Sequence, residues 1–139
     1  MREVAISEIY GAPVEGKGAI GLLGIEKALV SEDAVGVIME VNDAHLNTNG
    51  TVHGGILYAV CDQAIGTYMA CKKVDALGMD GQIHYYRPAN RGDILQAMAY
   101  VRKAGKRATV FFVELKNQDG KLLADSMFTA MHMQQKTNV

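Results

Sequence analysis

The sequence predicts an α+β fold in which a curved antiparallel sheet of about six strands wraps around one long central helix. A run of twenty residues, 52–71, is apolar on nearly every face and too long for a strand. Two strand-like runs precede it and four follow it, each bounded by turn residues. Because a helix that is apolar all round must be covered on most sides, one sheet wrapped around it satisfies the pattern.

Size and charge narrow the possible partners. The chain has 139 residues, of which 49% are hydrophobic and 21% charged, enough for one domain with a packed core. Its formal net charge is -1, whereas nucleic-acid and anionic-membrane surfaces normally carry excess positive charge. We therefore expect a single domain over 1–139, with 1–20 as a lead-in, and neither nucleic acid nor membrane as a partner.

The segments before the helix indicate a lead-in and a hairpin. Residues 1–20 are rich in Gly and weakly patterned, which favours a short helix or loop. Two β-prone runs, 24–30 and 35–41, flank the polar turn 31–34 and predict a hairpin. The loop 43–50 that follows is dense in Asn, Asp and Gly.

Four strand-like segments follow the helix, which we expect to end near Lys72 because cations favour a helix C-terminus. Turns at 103–106 and 117–120 join the last three segments into two hairpins. The segments are 82–87, which Pro88 ends, 94–102, 108–116 and 122–133.

Targeting and redox features favour a cytoplasmic protein. Residues 1–17 include five charged side chains and resemble no signal peptide, and no window is long and apolar enough to span a membrane. Cys61 and Cys71 lie ten residues apart in the predicted helix. Because a helix rises about 1.5 Å per residue, roughly 15 Å separates them, which is too far for a disulfide within one chain.

The sequence lacks the context or the spacing that nucleotide-binding and metal-binding motifs need. Residues 16–21 match the dinucleotide pattern G-x-G-x-x-G, but they precede strands in a chain without a βαβ unit. The four histidines and two cysteines show no metal-ligand spacing. We therefore expect no metal and no cofactor.

Asp62 is the only formally charged residue of the predicted helix. A carboxylate buried without a partner costs several kcal/mol, so its presence needs a reason. It either reaches solvent or caps a neighbouring element, or it acts as a general base or nucleophile, for which partial burial is useful.

The loop before the helix points to an oxyanion site. Asn47, Gly50, His53, Gly54 and Gly55 lead into the helix N-terminus, where backbone N–H groups lack intrahelical partners. Adjacent glycines are poor helix formers, but they let a ligand approach those N–H groups closely. Alone, the segment is equally compatible with an ordinary Gly-rich turn; together with Asp62 it favours a site for a polarised carbonyl.

These residues resemble a known signature. The pattern Asn47-x-x-Gly50-x-x-His53-Gly54-Gly55, followed by Asp62 and Ala64-x-Gly66, is similar to that of hotdog-fold acyl-CoA thioesterases of the phenylacetate-degradation (PaaI-like) type. The resemblance covers most of the chain, from about residue 22 to residue 133, and includes the strand end 85–89 with the turns near 105 and 119. It implies a hotdog fold and metal-free hydrolysis of an aryl- or fatty-acyl-CoA by a homodimer or a tetramer of paired dimers.

The resemblance also implies residue roles. By position, Asp62 is the catalytic carboxylate and Gly54 the backbone donor to the thioester carbonyl, while Asn47 and His53 assist the substrate or the leaving group. One position departs from the pattern: many members carry Ser or Thr about ten residues before the Pro, to position water, and this chain has Gly78 there. Gln63 or Asp80 is a possible substitute.

Geometry requires a second chain. Gly54 and Asp62 are eight residues apart, or about 12 Å along a helix. An oxyanion donor and a base must both act within about one water of the same carbon. If both residues are catalytic, Asp62 must come from a second chain whose helix runs antiparallel, so that a two-fold dimer holds two sites.

The hypothesis also predicts which residues hold CoA, and two other functions compete with it. Phosphates of CoA would be held by basic residues, for which Arg91, Arg102, Lys106 and Arg107 are candidates, although charged turns are usually just solvated. A non-catalytic acyl-CoA-binding module is disfavoured by the retained Asp62. A hotdog dehydratase is disfavoured because His53 is followed by two glycines where those enzymes resemble one another in His followed by Pro-Gly.

Overall fold

The computed structural model describes residues 1–11 and 16–133. Residues 12–15, in the predicted lead-in, and residues 134–139, at the end of the expected domain, lie outside this part. The helices are α1 (Ile6–Tyr10), α2 (Gly18–Leu23) and α3 (Gly54–Lys72), and a short 3-10 helix spans Asp43–His45. The strands are β1 (Arg2–Ala5), β2 (Lys27–Val30), β3 (Ala34–Glu40), β4 (Ala76–Tyr85), β5 (Ile94–Ala104), β6 (Ala108–Lys116) and β7 (Leu122–His132).

The strands form one antiparallel sheet in the order β1-β2-β3-β5-β6-β7-β4. The predicted α+β architecture and all three predicted hairpins, β2–β3, β5–β6 and β6–β7, are confirmed. The described residues contain a seventh strand, β1, in the segment predicted as helix or loop. It pairs with β2 from Arg2 to Ala5 and buries Val4. Four residues with a single buried side chain are too few to show a strand period in sequence.

The central helix α3 packs on one face of the sheet, against β3 and β5 in particular. It begins at Gly54, two residues later than predicted, and ends at Lys72. Lys73 caps it with left-handed backbone angles and donates its N–H to the Met69 carbonyl. Among its buried side chains are Leu57, Val60, Cys61, Ala64 and Ile65. The helix α3 is apolar on nearly every face because it lies between the sheet and the N-terminal helices α1 and α2. No helix within the described residues is long and apolar enough to cross a bilayer.

Strand β4 is an edge of the sheet and pairs only with β7 among the described strands. It begins at Ala76, six residues before the predicted start, and its register shifts between Gly78 and Asp80. The extra residues escaped prediction because glycines and a bulge interrupt the alternation. Nearly all of β4 is exposed, including Leu77 (61%) and Met79 (56%). The chain therefore has a long open edge with apolar side chains beside the central helix.

Candidate active site

In the part of the chain that the structure describes, the first turn of α3 leaves a single backbone donor without an acceptor. His53 caps the helix, and its Nδ1 accepts the Gly55 N–H at 2.9 Å. The N–H groups of Ile56 and Leu57 both donate to the His53 carbonyl, at 2.9 and 3.2 Å. Of the four N–H groups that a helix start leaves without intrahelical partners, only that of Gly54 finds no acceptor among the described residues. The helix dipole makes it a donor suited to a negatively charged oxygen.

Asn47 organises the loop that leads into this turn. Its Oδ1 accepts the N–H groups of Asn49 and Thr51 at 2.8 and 3.2 Å, and its amide donates to the Thr51 hydroxyl at 3.0 Å. The adjacent His45 is buried, and its carbonyl accepts the His53 N–H at 2.9 Å. The structure thus gives Asn47 a place in the turn, and its predicted contact with substrate stays a prediction.

A cavity of about 310 Å³ opens beside Gly54. Its walls include Val52, Leu57, Tyr85 and Arg87. The Tyr85 hydroxyl donates to the Gly54 carbonyl at 2.7 Å, and Arg87 donates to the Leu122 carbonyl at 3.3 Å. From the sequence, Tyr85 and Arg87 are predicted only to belong to the strand end 85–89. Their signal was the aromatic pair and Arg before Pro88, which is uninformative until β4 is placed beside α3.

Asp62 lies two turns along α3 and one turn after Tyr58. Its side chain reaches solvent, yet burial still raises its pKa above an ordinary value of 3.8. The described residues provide its carboxylate with neither a hydrogen bond nor an ion pair. The Tyr58 hydroxyl lies against Gly81 of β4. Burial first, and then the charges of Asp62 and Asp80, raise the pKa of Tyr58. A carboxylate whose pKa is raised by burial, and which has no partner among the described residues, is suited to take up a proton.

Gln63 is directed elsewhere. Its amide nitrogen donates to the Tyr10 hydroxyl at 3.1 Å and to the Thr67 hydroxyl at 3.2 Å, and those two hydroxyls lie 3.1 Å apart. This triad fastens α1 to the central helix. Water positioning or substrate binding by Gln63 remains a prediction. The hydrogen bonds to Tyr10 and Thr67 occupy its amide nitrogen and count against either role.

The predicted phosphate-binding residues are spread over the molecule. Arg91 forms an exposed 2.8 Å ion pair with Asp43, next to the loop that enters α3. Arg102 lies over the Phe112 ring, 5.9 Å from its centroid, on the sheet face away from the helix. Lys106 and Arg107 line a larger cavity of about 880 Å³ at the β4 edge. The structure therefore does not bring these four residues together within one chain.

Gly78 lies on the wall of this larger cavity, together with the apolar side chains of Leu77, Met79 and Met131. A Cβ at position 78 would meet nothing within 4 Å, so Ser or Thr would fit there. The hydroxyl is thus absent for reasons other than space, and nothing in the structure explains the glycine.

The cysteines and metal-ligating side chains add no further chemistry to the described region. Cys61 and Cys71 are both free thiols, and burial raises the pKa of Cys61 to about 12, which keeps it a thiol. Within residues 1–11 and 16–133, no three His, Cys, Asp or Glu side chains cluster closely enough to hold a metal ion.

A long central helix packed on one face of an antiparallel sheet is the architecture of a hotdog-fold protein. Residues 49–124 match the family model described as the thioesterase superfamily. The acyl-coenzyme A thioesterase PaaI of Escherichia coli is 33% identical over 102 residues, 73% of each chain. Human acyl-coenzyme A thioesterase 13 is 34% identical over 94 residues, 66% of this chain and 67% of the relative. The chain belongs to the thioesterase superfamily.

Solved structures support the same family and fold. The E. coli PaaI protein of the phenylacetic acid degradation operon superposes with a TM-score of 0.78 at 28% identity, over 90% of this chain and 95% of that one. A Streptococcus mutans protein bound to acetyl CoA superposes with a TM-score of 0.73 at 28% identity, over 79% and 90%. The predicted hotdog fold, the PaaI-like resemblance and a thioester-hydrolysing activity are thereby confirmed.

Proposed function

We propose that this thioesterase hydrolyses the thioester of a small aryl- or fatty-acyl-CoA to the free acid and CoA, at a site shared by two copies of the chain. One copy supplies the Gly54 N–H and the other supplies Asp62. The observation that carries the proposal is the Gly54 N–H beside a cavity, since this N–H has no acceptor within residues 1–11 and 16–133. The names of the PaaI and acyl-coenzyme A thioesterase relatives, and the acetyl CoA bound to the streptococcal structure, support the substrate class.

The chemistry follows from these two groups. The thioester carbonyl oxygen accepts the Gly54 N–H, whose helix dipole stabilises the negative charge that develops as the carbonyl is attacked. The Asp62 carboxylate either removes a proton from an attacking water or attacks the carbonyl carbon itself. In the first route water adds to the carbonyl carbon, the carbon–sulfur bond breaks and CoA leaves as a thiol once protonated. In the second route the carbon–sulfur bond breaks as an anhydride forms between the acyl group and Asp62, and water then hydrolyses this anhydride to the free acid and the Asp62 carboxylate.

The open edge of the sheet supports the shared site. Tyr85 ties the C-terminal end of β4 to Gly54, and Gly81 lies against Tyr58, one turn before Asp62. Both halves of the site therefore lie on α3 beside β4, whose outer edge pairs with no other described strand. A two-fold axis that crosses α3 midway between Gly54 and Asp62 would place Gly54 of one copy near Asp62 of the other. The dimer would then hold two such sites.

Burial favours the same assembly. A long exposed edge strand with apolar side chains is a template for pairing with another chain. Pairing of β4 with its copy would bury Leu77 and Met79, which are 61% and 56% exposed. The further pairing of dimers into a tetramer stays a prediction that sedimentation tests.

The primary test is thiol release from a panel of aryl-, short-, medium- and long-chain acyl-CoA substrates. Asp62→Asn keeps the shape of the side chain and removes the base, so we expect kcat to fall about 10² to 10⁴-fold. Asp119→Asn, in the exposed turn between β6 and β7, is the matched control and should retain wild-type rates. Binding without thiol release, or release unaffected by Asp62→Asn, would sink the proposal.

A second pair of variants isolates the N–H. Gly54→Pro removes the hydrogen at the first helical position, where Pro is well accommodated, and the preceding His53 already has φ −56° and ψ 133°. Gly54→Ala adds a similar Cβ but keeps the N–H. We expect Pro to lower kcat about 10² to 10³-fold and Ala far less. Equal losses in the two variants would show that the N–H has no role.

Mixing the two inactive variants tests the shared site. In a heterodimer of Gly54→Pro and Asp62→Asn, one site carries both defects and the other carries neither. Random exchange of subunits should therefore restore about a quarter of wild-type activity. A mixture that stays inactive after demonstrated subunit exchange contradicts the shared site, as does a fully active monomer in sedimentation.

A further inference from the structure

One peptide group at the start of α3 is held from both sides. Its carbonyl, that of Gly54, accepts the Tyr85 hydroxyl at 2.7 Å. Its N–H, that of Gly55, donates to His53 Nδ1 at 2.9 Å. A phenol, an amide and an imidazole therefore form one hydrogen-bonded chain, anchored at the last residue of the edge strand β4.

We propose that Tyr85 is a positioning residue, which aims the Gly54 N–H at the substrate carbonyl. The proposal rests on the proposed function. Gly54 joins the peptide that Tyr85 holds to the peptide whose N–H is free, so fixing the first restricts the second. Glycine has the widest range of backbone angles of any residue, and two in succession leave a helix start loosely defined. An external anchor is therefore needed where the donor must point in one direction.

Packing supports the same role. A Cβ on Gly54 would lie 3.1 Å from the Tyr85 hydroxyl oxygen and 3.2 Å from its Cζ, so the ring rests against the glycine backbone. Tyr85 is nevertheless 51% exposed and contributes little to the core. A half-exposed phenol can bond to water, so its commitment to one backbone carbonyl in a cavity wall points to the site rather than to folding.

The chain also orients His53. Because Nδ1 accepts a hydrogen, a neutral His53 carries its proton on Nε2 and presents that nitrogen as a donor. The Tyr85 hydrogen bond polarises the shared peptide, which strengthens the Gly55 N–H as a donor to the ring. Tyr85 thus holds both the oxyanion donor and the imidazole through a single contact.

Tyr85→Phe removes the hydroxyl and keeps the ring. We expect kcat to fall about tenfold while KM stays within about twofold, since a misdirected donor weakens the transition state more than the bound substrate. Tyr100→Phe is the control, because Tyr100 lies on the opposite face of the sheet beside Leu29, Ala34 and Met98. An unchanged kcat in Tyr85→Phe, with Asp62→Asn inactive, would overturn the role of Tyr85 and leave the proposed function intact.

An independent measurement does not require activity. The backbone ¹⁵N order parameters of Gly54 and Gly55 should fall in Tyr85→Phe and remain at wild-type values in Tyr100→Phe. Unchanged order parameters overturn the positioning role. If the wild type releases no thiol from any acyl-CoA, the proposed function fails on its own, while the order parameters still decide whether Tyr85 holds this turn.

Discussion

The imidazole Nδ1 of His53 lies 2.9 Å from the backbone nitrogen of Gly55 and accepts its hydrogen. This contact occupies one of the two glycine N–H groups at the start of the central helix, and the other, that of Gly54, has no acceptor among the residues described. His53 therefore acts on the helix before it acts on any substrate. Its two roles, helix cap and predicted assistance to the reaction, can be separated by substitution.

His53→Ala and His53→Asn separate them. Ala loses the cap, so we expect the free energy of unfolding to fall by about 1 kcal/mol, whereas Asn is a good N-cap and should restore it. If the ring also assists the substrate, both variants lose activity although only Ala loses stability. Denaturant unfolding and thiol release measure the two effects; an Asn variant with full activity would leave His53 a cap alone.

The pH dependence of the reaction should reflect the environment of Asp62. Burial raises the pKa of this carboxylate, and the proposed mechanism needs its charged form. Activity should therefore be lost as pH falls through a pKa above the ordinary 3.8, giving the rate profile an acid limb shifted toward neutrality. The profile of kcat/KM measures this limb in the free enzyme. A limb at or below the ordinary value contradicts the burial of the base.

Activity should rise with pH, whereas the contribution of Asp62 to stability should fall with pH. Because the folded pKa of Asp62 is raised, the folded state binds this proton more tightly than the unfolded chain. Asp62 therefore costs nothing below its unfolded pKa, and it destabilises the protein once pH rises through the folded pKa. Because Asp62 is partly exposed, solvent screening keeps the effect small: we expect Asp62→Asn to raise Tm slightly near pH 7.5 and to leave it unchanged near pH 3.5. Thermal unfolding at both values provides the test.

Position 78 offers a gain of function. The resemblance associates Ser or Thr there with water positioning, and a Cβ at Gly78 would meet nothing within 4 Å. We expect Gly78→Ser to raise kcat severalfold, while Gly78→Ala, which adds the Cβ without the hydroxyl, leaves it unchanged. Both should be slightly more stable than wild type, since glycine weakens a strand interior. If Ala accelerates the reaction as much as Ser, backbone stiffening and not the hydroxyl is responsible.

Basic residues at the two cavities should affect CoA binding. Arg87 lines the cavity beside Gly54, and Lys106 lines the larger one at the β4 edge. We expect Arg87→Gln or Lys106→Gln to raise KM for acyl-CoA about two- to fivefold, with the difference shrinking at high salt. Lys27→Gln is the control, because Lys27 pairs with Glu3 near the opposite edge of the sheet. An unaltered KM in both variants removes these residues from CoA binding.

Much of the fold could be read from the sequence because its signals were local. The apolar run 52–71 required a buried helix, and alternating segments joined by turn residues required hairpins. Strand β1 and the first half of β4 escaped prediction for the opposite reason. Their pairing is imposed by neighbouring strands, and neither has a periodic pattern of its own.

The candidate site divides in the same way. The residue types and their spacing marked Gly54 and Asp62 and implied that one chain cannot hold both beside one substrate. Tyr85 and Arg87 could not be placed, since they lie more than thirty positions after Gly54 and meet it only through the path of β4. The involvement of Gln63 with Tyr10 and Thr67 was equally invisible, because it depends on where α1 packs.

The sequence by itself determined the fold class, the buried helix and a carboxylate and glycine pair held about 12 Å apart by helical rise. Tertiary structure alone decided which N–H is free, which edge of the sheet is open and which side chains reach the helix start. Periodicity and composition record whether each residue is buried, whereas hydrogen-bond partners between distant segments are set only when the sheet and helix pack together.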